Sequence, residues 1–86
     1  MLHKIVSVYD STAQAYLKPI FVQSDGAAVR SFTDAVNDPS TDFAKHPDDY
    51  SMQSIGEWDD NTAEFNLHQN PVVLAKASAL LKEENT

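Results

Sequence analysis

The chain has 86 residues, 13 acidic against 6 basic side chains, and no cysteine. That is the length of one domain, without a disulfide, a thiolate metal cage or a cysteine nucleophile. Its net charge of −7 repels the nucleic-acid backbone unless the few cations gather on one face and the carboxylates lie elsewhere.

No apolar run approaches the ~18–20 residues that cross a bilayer. Met1-Leu2-His3-Lys4 leads straight into an alternating segment, not an apolar leader. The expectation is a soluble protein with no membrane contact, retained in the compartment where it is made. A core this small and without staples is marginal, so a homodimer is the default expectation.

In chain order, residues 2–9 read as a strand, with β-branched Ile5, Val6 and Val8. Asp10-Ser11-Thr12 supplies turn chemistry. Residues 13–23 form a second extended stretch interrupted at Pro19, which places it at an edge or breaks it in two. Ser24-Asp25 starts a helix that buries Ala28, Val29, Phe32, Ala35 and Val36 and shows Arg30, Ser31, Thr33 and Asp34 to water. Asn37-Asp38-Pro39 ends it. Residues 40–49 form a polar loop with one helical turn around Asp42-Phe43-Ala44.

Residues 50–58 read as a third strand and residues 64–68 as a fourth, joined by the hairpin loop Asp59-Asp60-Asn61-Thr62-Ala63. Asn70-Pro71 starts a second helix with Val73, Leu74, Ala77, Leu80 and Leu81 as its buried stripe, and residues 83–86 fray. The order is ββαββα. It predicts one α+β domain over residues 1–86, with an ordered core of about residues 2–82. Its architecture is a four-stranded antiparallel sheet with two helices on one face.

The chain carries no arrangement for catalysis. His46-Pro47-Asp48-Asp49 holds three possible ligands, but their spacing matches no zinc, calcium or metalloprotease pattern, and His3 and His68 have no partners nearby in sequence. No serine sits in a nucleophile elbow. The adjacent carboxylates Asp48-Asp49 and Asp59-Asp60 point apart in turns, and Gly26 and Gly56 are too few for a phosphate loop. The expectation is a binding protein, not an enzyme, with no metal and no cofactor.

Phe32 and Phe65 have core spacing. Tyr9, Tyr16, Tyr50 and Trp58 lie on or beside strands, where an exposed ring can stack a base, although half-buried packing is the simpler account of each. Lys4, Lys18, Arg30 and Lys45 are the cations nearest those elements.

The run His46-Pro47-Asp48-Asp49-Tyr50-Ser51-Met52-Gln53-Ser54-Ile55-Gly56-Glu57-Trp58-Asp59-Asp60 resembles the signature of a phage family. Ser7-Val8-Tyr9-Asp10-Ser11, Lys18-Pro19 and Ala28-Val29-Arg30-Ser31-Phe32 extend the likeness in order. Together they resemble the small nonstructural protein encoded by the fifth reading frame of gokushoviruses, single-stranded DNA phages of the Microviridae. That pattern carries a large hydrophobic residue or Phe where Trp58 stands, and Gly where Ala63 stands.

The resemblance implies a nonstructural protein in the cytoplasm of the infected bacterial host. It would bind single-stranded DNA without sequence specificity and assist genome replication or packaging. On the matching positions, Lys18, Arg30, Lys45, His46 and Tyr50 are the implied nucleic-acid-binding residues. The alternative is an acidic protein-interaction module that recruits host replication proteins or the phage procapsid.

Overall fold

The computed structural model describes residues 1–82, so the expected fraying of residues 83–86 lies outside the described residues. The first strand, β1 (Leu2–Asp10), is central, and Ile5, Val6, Ser7 and Val8 are all buried. Two short strands, β2 (Ala15–Tyr16) and β3 (Ile20–Val22), pair antiparallel with β1 along the same edge. The break expected at Pro19 falls between them.

Helix α1 (Asp25–Val36) follows, with the Ser24 hydroxyl accepting from the Ala27 N–H at 3.1 Å. Its buried residues Ala28, Phe32 and Val36 pack on Val6, Val8 and Met52 of the sheet and on Ala77. The loop contains the expected helical turn, α2 (Asp42–Lys45), capped by Thr41, and then a 3-10 turn over Pro47–Asp49. Strands β4 (Tyr50–Asp59) and β5 (Glu64–Lys76) form the hairpin, and α3 (Ala77–Leu80) closes the described chain. The sheet order is β2-β1-β4-β5, with β3 beside β2 on β1.

The fold is therefore α+β with an antiparallel sheet, but the sheet has five strands among the described residues and not the expected four, because the second extended stretch divides into β2 and β3, and the ββαββα order needs correction. The segment after Asn70-Pro71 is not a long helix: β5 runs through both residues to Lys76, and among the described residues beyond it only Ala77–Leu80 is helical. The strand wins because Val72 and Val73, both β-branched, complete the ladder of β4 opposite Ser54 and Gln53. The expected apolar stripe still reaches the core through Leu74, Ala77 and Leu80. The Asn37 side chain latches this end, donating to the Leu80 carbonyl at 3.0 Å and accepting from the Lys82 N–H at 2.8 Å.

In the β4–β5 loop the Ala63 N–H donates to the Asp59 carbonyl at 2.7 Å, and Ala63 takes φ 63°. A left-handed conformation costs a residue with a Cβ roughly 1–2 kcal/mol. Glycine removes that cost and gives back ~0.4–1 kcal/mol as unfolded-state freedom. Ala63→Gly is thus expected to raise stability by up to about 1.6 kcal/mol, seen as a higher urea midpoint. A lowered midpoint contradicts the loop geometry.

Candidate nucleic-acid interface

Cross-strand partners point to the same side of a sheet, so the register sorts every strand residue onto one of two faces. The face under α1 takes Lys4, Val6, Val8 and Asp10 from β1 and their partners Glu57, Ser54, Met52 and Tyr50 from β4. The opposite, open face takes His3, Ile5, Ser7 and Tyr9, paired with Trp58, Gly56, Gln53 and Ser51. A shift between Ile5 and Val6 leaves Ile55 without a partner in this pairing and keeps the two patterns in phase. From the neighbouring strands the open face gains Tyr16, Phe21, Phe65, Leu67, Val73 and Lys76.

Aromatic rings gather there in two groups. Trp58 lies 5.4 Å from the His3 ring, 5.7 Å from Phe21 and 6.3 Å from Phe65, between ring centroids. Phe21 and Phe65 meet edge-on at 6.4 Å, yet they remain 51% and 58% exposed. Toward the other end Tyr9 and Tyr16 pack at 4.8 Å, and the Tyr16 hydroxyl donates to Gln53 Oε1 at 2.9 Å. Ser7 Oγ donates to the Leu17 carbonyl at 2.6 Å, tying the β2–β3 connection to the sheet.

Charge divides along the same lines. The register puts the strand carboxylates Asp10, Glu57, Asp59 and Glu64 on the helix face. Lys4 is held there by Glu57 at 2.9 Å, and that hydrogen bond lifts its ammonium above the usual lysine range. Among the described residues, the strand positions of the open face carry Lys76 and His3 and no carboxylate.

Asp60, at the hairpin loop, accepts from the Met1 ammonium at 2.9 Å and lies 2.8 Å from His3 Nε2. The bond to the ammonium, and then the one to His3, hold its carboxyl below the usual range. At the other end Lys76 shares a cavity of about 190 Å³ with Tyr9, Asp48 and Asp49.

The five residues implied from sequence do not share this surface. Lys18 is exposed in the β2–β3 connection at its edge, while Arg30 is exposed on α1 and Lys45 and His46 are exposed at the end of α2. Tyr50 belongs to the helix face: its half-buried ring meets Phe43 edge-on at 4.9 Å. Burial first, and then the carboxylates Asp10, Asp42 and Asp49, raise its hydroxyl pKa.

Two rings escaped the sequence reading. Phe21 had no assigned role, and Phe65, expected in the core, is exposed. The hairpin itself carried the signal, since closing it at residues 59–64 sets Phe65 opposite Trp58. Among the described residues no three His, Cys, Asp or Glu side chains are placed to share a metal ion.

Residues 3–80 match the family described as Phage ORF5 protein. The chain belongs to that phage protein family. No curated protein and no solved structure gives a significant match. The stretch matched to the ORF5 family runs from His3, inside β1, to Leu80, the last residue of α3, and so spans both aromatic groups. Among the described residues of this ORF5 protein, no helix is long and apolar enough to cross a membrane.

Proposed function

We propose that this phage ORF5 protein is a nonstructural protein that binds single-stranded DNA, without sequence preference, on the open face of its sheet. In this reading it serves replication or packaging of a gokushovirus-type genome in the host cytoplasm. The observation that carries the proposal is the separation of chemistry between the two faces: aromatic rings on the open one, strand carboxylates on the other.

Bases of any sequence stack on exposed rings, each contributing ~1–3 kcal/mol. Phe21, Trp58 and Phe65 offer one platform, and Tyr9 with Tyr16 a second. Lys18 and Lys76 stand beside them to meet phosphates. Arg30, Lys45 and His46, in the helical layer, add only their distant field.

Trp58 is the single tryptophan and reports binding directly. A short oligothymidylate is expected to quench its fluorescence to saturation. The log–log salt slope should be about −2 if three phosphates are neutralised. Phe65→Ala should weaken binding about tenfold with an unchanged far-UV spectrum, because Phe65 stacks in the open. A salt-independent titration, or full affinity in Phe65→Ala, overturns the assignment.

The helix face, where the strand carboxylates collect, favours a second reading: an acidic module that recruits a basic host or procapsid protein. A stoichiometric protein partner that survives nuclease treatment, together with no oligonucleotide quenching, selects it.

A further inference from the structure

We infer that the cleft at the Tyr9 end of the open face is a guanine subsite, taking one base of the bound strand between the Lys76 ammonium and the Asp48 carboxylate. The subsite presupposes the strand-binding reading and gives one position of that surface a base preference. Elsewhere on the face, stacking stays indifferent to sequence.

The register lays a single row across the open face at this end. Tyr16 of β2 stands beside Tyr9 of β1, Tyr9 beside Ser51 of β4, and Ser51 beside Lys76 of β5. Two rings thus lead, on one face, to a hydroxyl and an ammonium. The row stops against the 3-10 turn Pro47–Asp49. Ser11 fixes that turn to the end of β1, its N–H and its hydroxyl both donating to the Asp49 carbonyl, at 2.9 and 3.1 Å. Between row and turn lies the cleft of about 190 Å³, lined by Tyr9, Ser11, Asp48, Asp49 and Ser51 together with Lys76.

Opposite charges line this cleft without closing on each other. Among the described residues, ion pairs form only at Met1, His3 and Lys4, so no carboxylate comes within 4 Å of the Lys76 nitrogen. Asp10, Asp38 and Asp59 each commit their carboxylate to the N–H two residues on. Among the described residues no such bond engages Asp48. The ammonium disfavours a bare metal ion in the cleft, and the carboxylates disfavour a phosphate.

What fits is a flat group with hydrogen-bond acceptors on one edge and donors on the next. Guanine offers O6 and N7 to an ammonium, and N1–H with the 2-amino group to the two oxygens of one carboxylate. Adenine and cytosine offer the carboxylate a single amino group, and thymine one N–H between two carbonyls. Tyr9 gives the base a ring to stack on. The three hydrogens of the Lys76 ammonium leave one for a neighbouring phosphate.

Trp58 quenching of the full chain by a short oligothymidylate is compared with quenching by the same oligomer carrying one guanine, placed at each position in turn. Guanine at one position is expected to tighten binding about tenfold, and hypoxanthine there, which lacks the 2-amino group, to lose most of that gain. Asp48→Asn should abolish the preference while leaving oligothymidylate binding equal or tighter, since it removes a negative charge; a charge effect alone would strengthen both oligomers alike. Equal affinity at every guanine position, or a preference that survives Asp48→Asn, overturns the subsite and leaves the strand-binding reading standing. If no oligomer quenches, that reading fails, and amide shifts at Ser51 and Lys76 on adding deoxyguanosine monophosphate, against thymidine monophosphate, decide the subsite by itself. Shifts with the guanine nucleotide alone sustain it as a mononucleotide site, and equal or absent shifts overturn it.

Discussion

Replacing Phe32 with alanine is expected to cost about 3–5 kcal/mol of stability, the largest effect of any single truncation in this chain. Phe32 is 3% exposed, reaches from α1 onto Val6, Val8 and Met52, and meets Phe43 edge-on at 5.3 Å. Truncation removes that buried area and leaves a hole that α1 cannot close, because Ala28 and Val36 are fully buried one turn to either side.

A chain of 86 residues has roughly 4–13 kcal/mol of stability in total, so the variant approaches the unfolded state at room temperature. Phe32→Leu, which keeps most of the volume, should lose about 1–1.5 kcal/mol and remain measurable by urea unfolding. The matching change at 58%-exposed Phe65 should cost much less stability while weakening oligonucleotide binding. A loss below about 1 kcal/mol in Phe32→Ala would mean that α1 does not close the core.

Where local pattern and tertiary demand agree, the elements are legible in the residues. Helix α1 has a cap at Ser24, an apolar stripe ending at Val36 and a proline soon after, and each signal points the same way. Strands β1 and β4 likewise match their branched and alternating segments. The C-terminal half of β5 is different. Asn70-Pro71 and the spacing of Val73, Leu74, Ala77 and Leu80 are helix signals, and only the ladder with Ser51 to Ser54, some twenty residues away in sequence, overrides them.

The candidate site shows the same division. Tyr9, Tyr16 and Trp58 lie on strands as their sequence setting suggests. Which face a ring takes depends on the irregularities at Ile5/Val6, Met52/Gln53 and Ser54/Gly56. A shift of one residue moves every following side chain to the other side, and no local pattern announces it. That is why Tyr50 turns inward and Trp58 outward, and the hairpin then sets Phe65 beside Trp58. The family resemblance groups Lys18, Arg30 and Lys45, whereas helix packing puts Arg30 and Lys45 in a different layer from Lys18.

Gly56→Ala is expected to destabilise the protein by about 3 kcal/mol, at the upper end of overpacking costs, although it adds only one methyl group. A Cβ at Gly56 would strike the Asn66 carbonyl oxygen and lie 2.8 Å from the Leu67 Cα. Both obstacles are backbone atoms, so no rotamer change relieves the clash and β5 must move away from β4.

Gly56 is also where the ladder resumes. It pairs with Leu67, whereas Ser54 pairs with Val72, so residues 68–71 of β5 loop out between the two rungs. Moving β5 at this rung disturbs the pairing of Trp58 with Phe65 directly beyond it. Gly56→Ala should therefore lose near-ultraviolet tryptophan dichroism and oligonucleotide quenching together with its urea midpoint, whereas Phe65→Ala should lose only the quenching. If Gly56→Ala keeps its midpoint within about 0.5 kcal/mol, the strands do not approach this closely, and the aromatic face built on that register is misplaced.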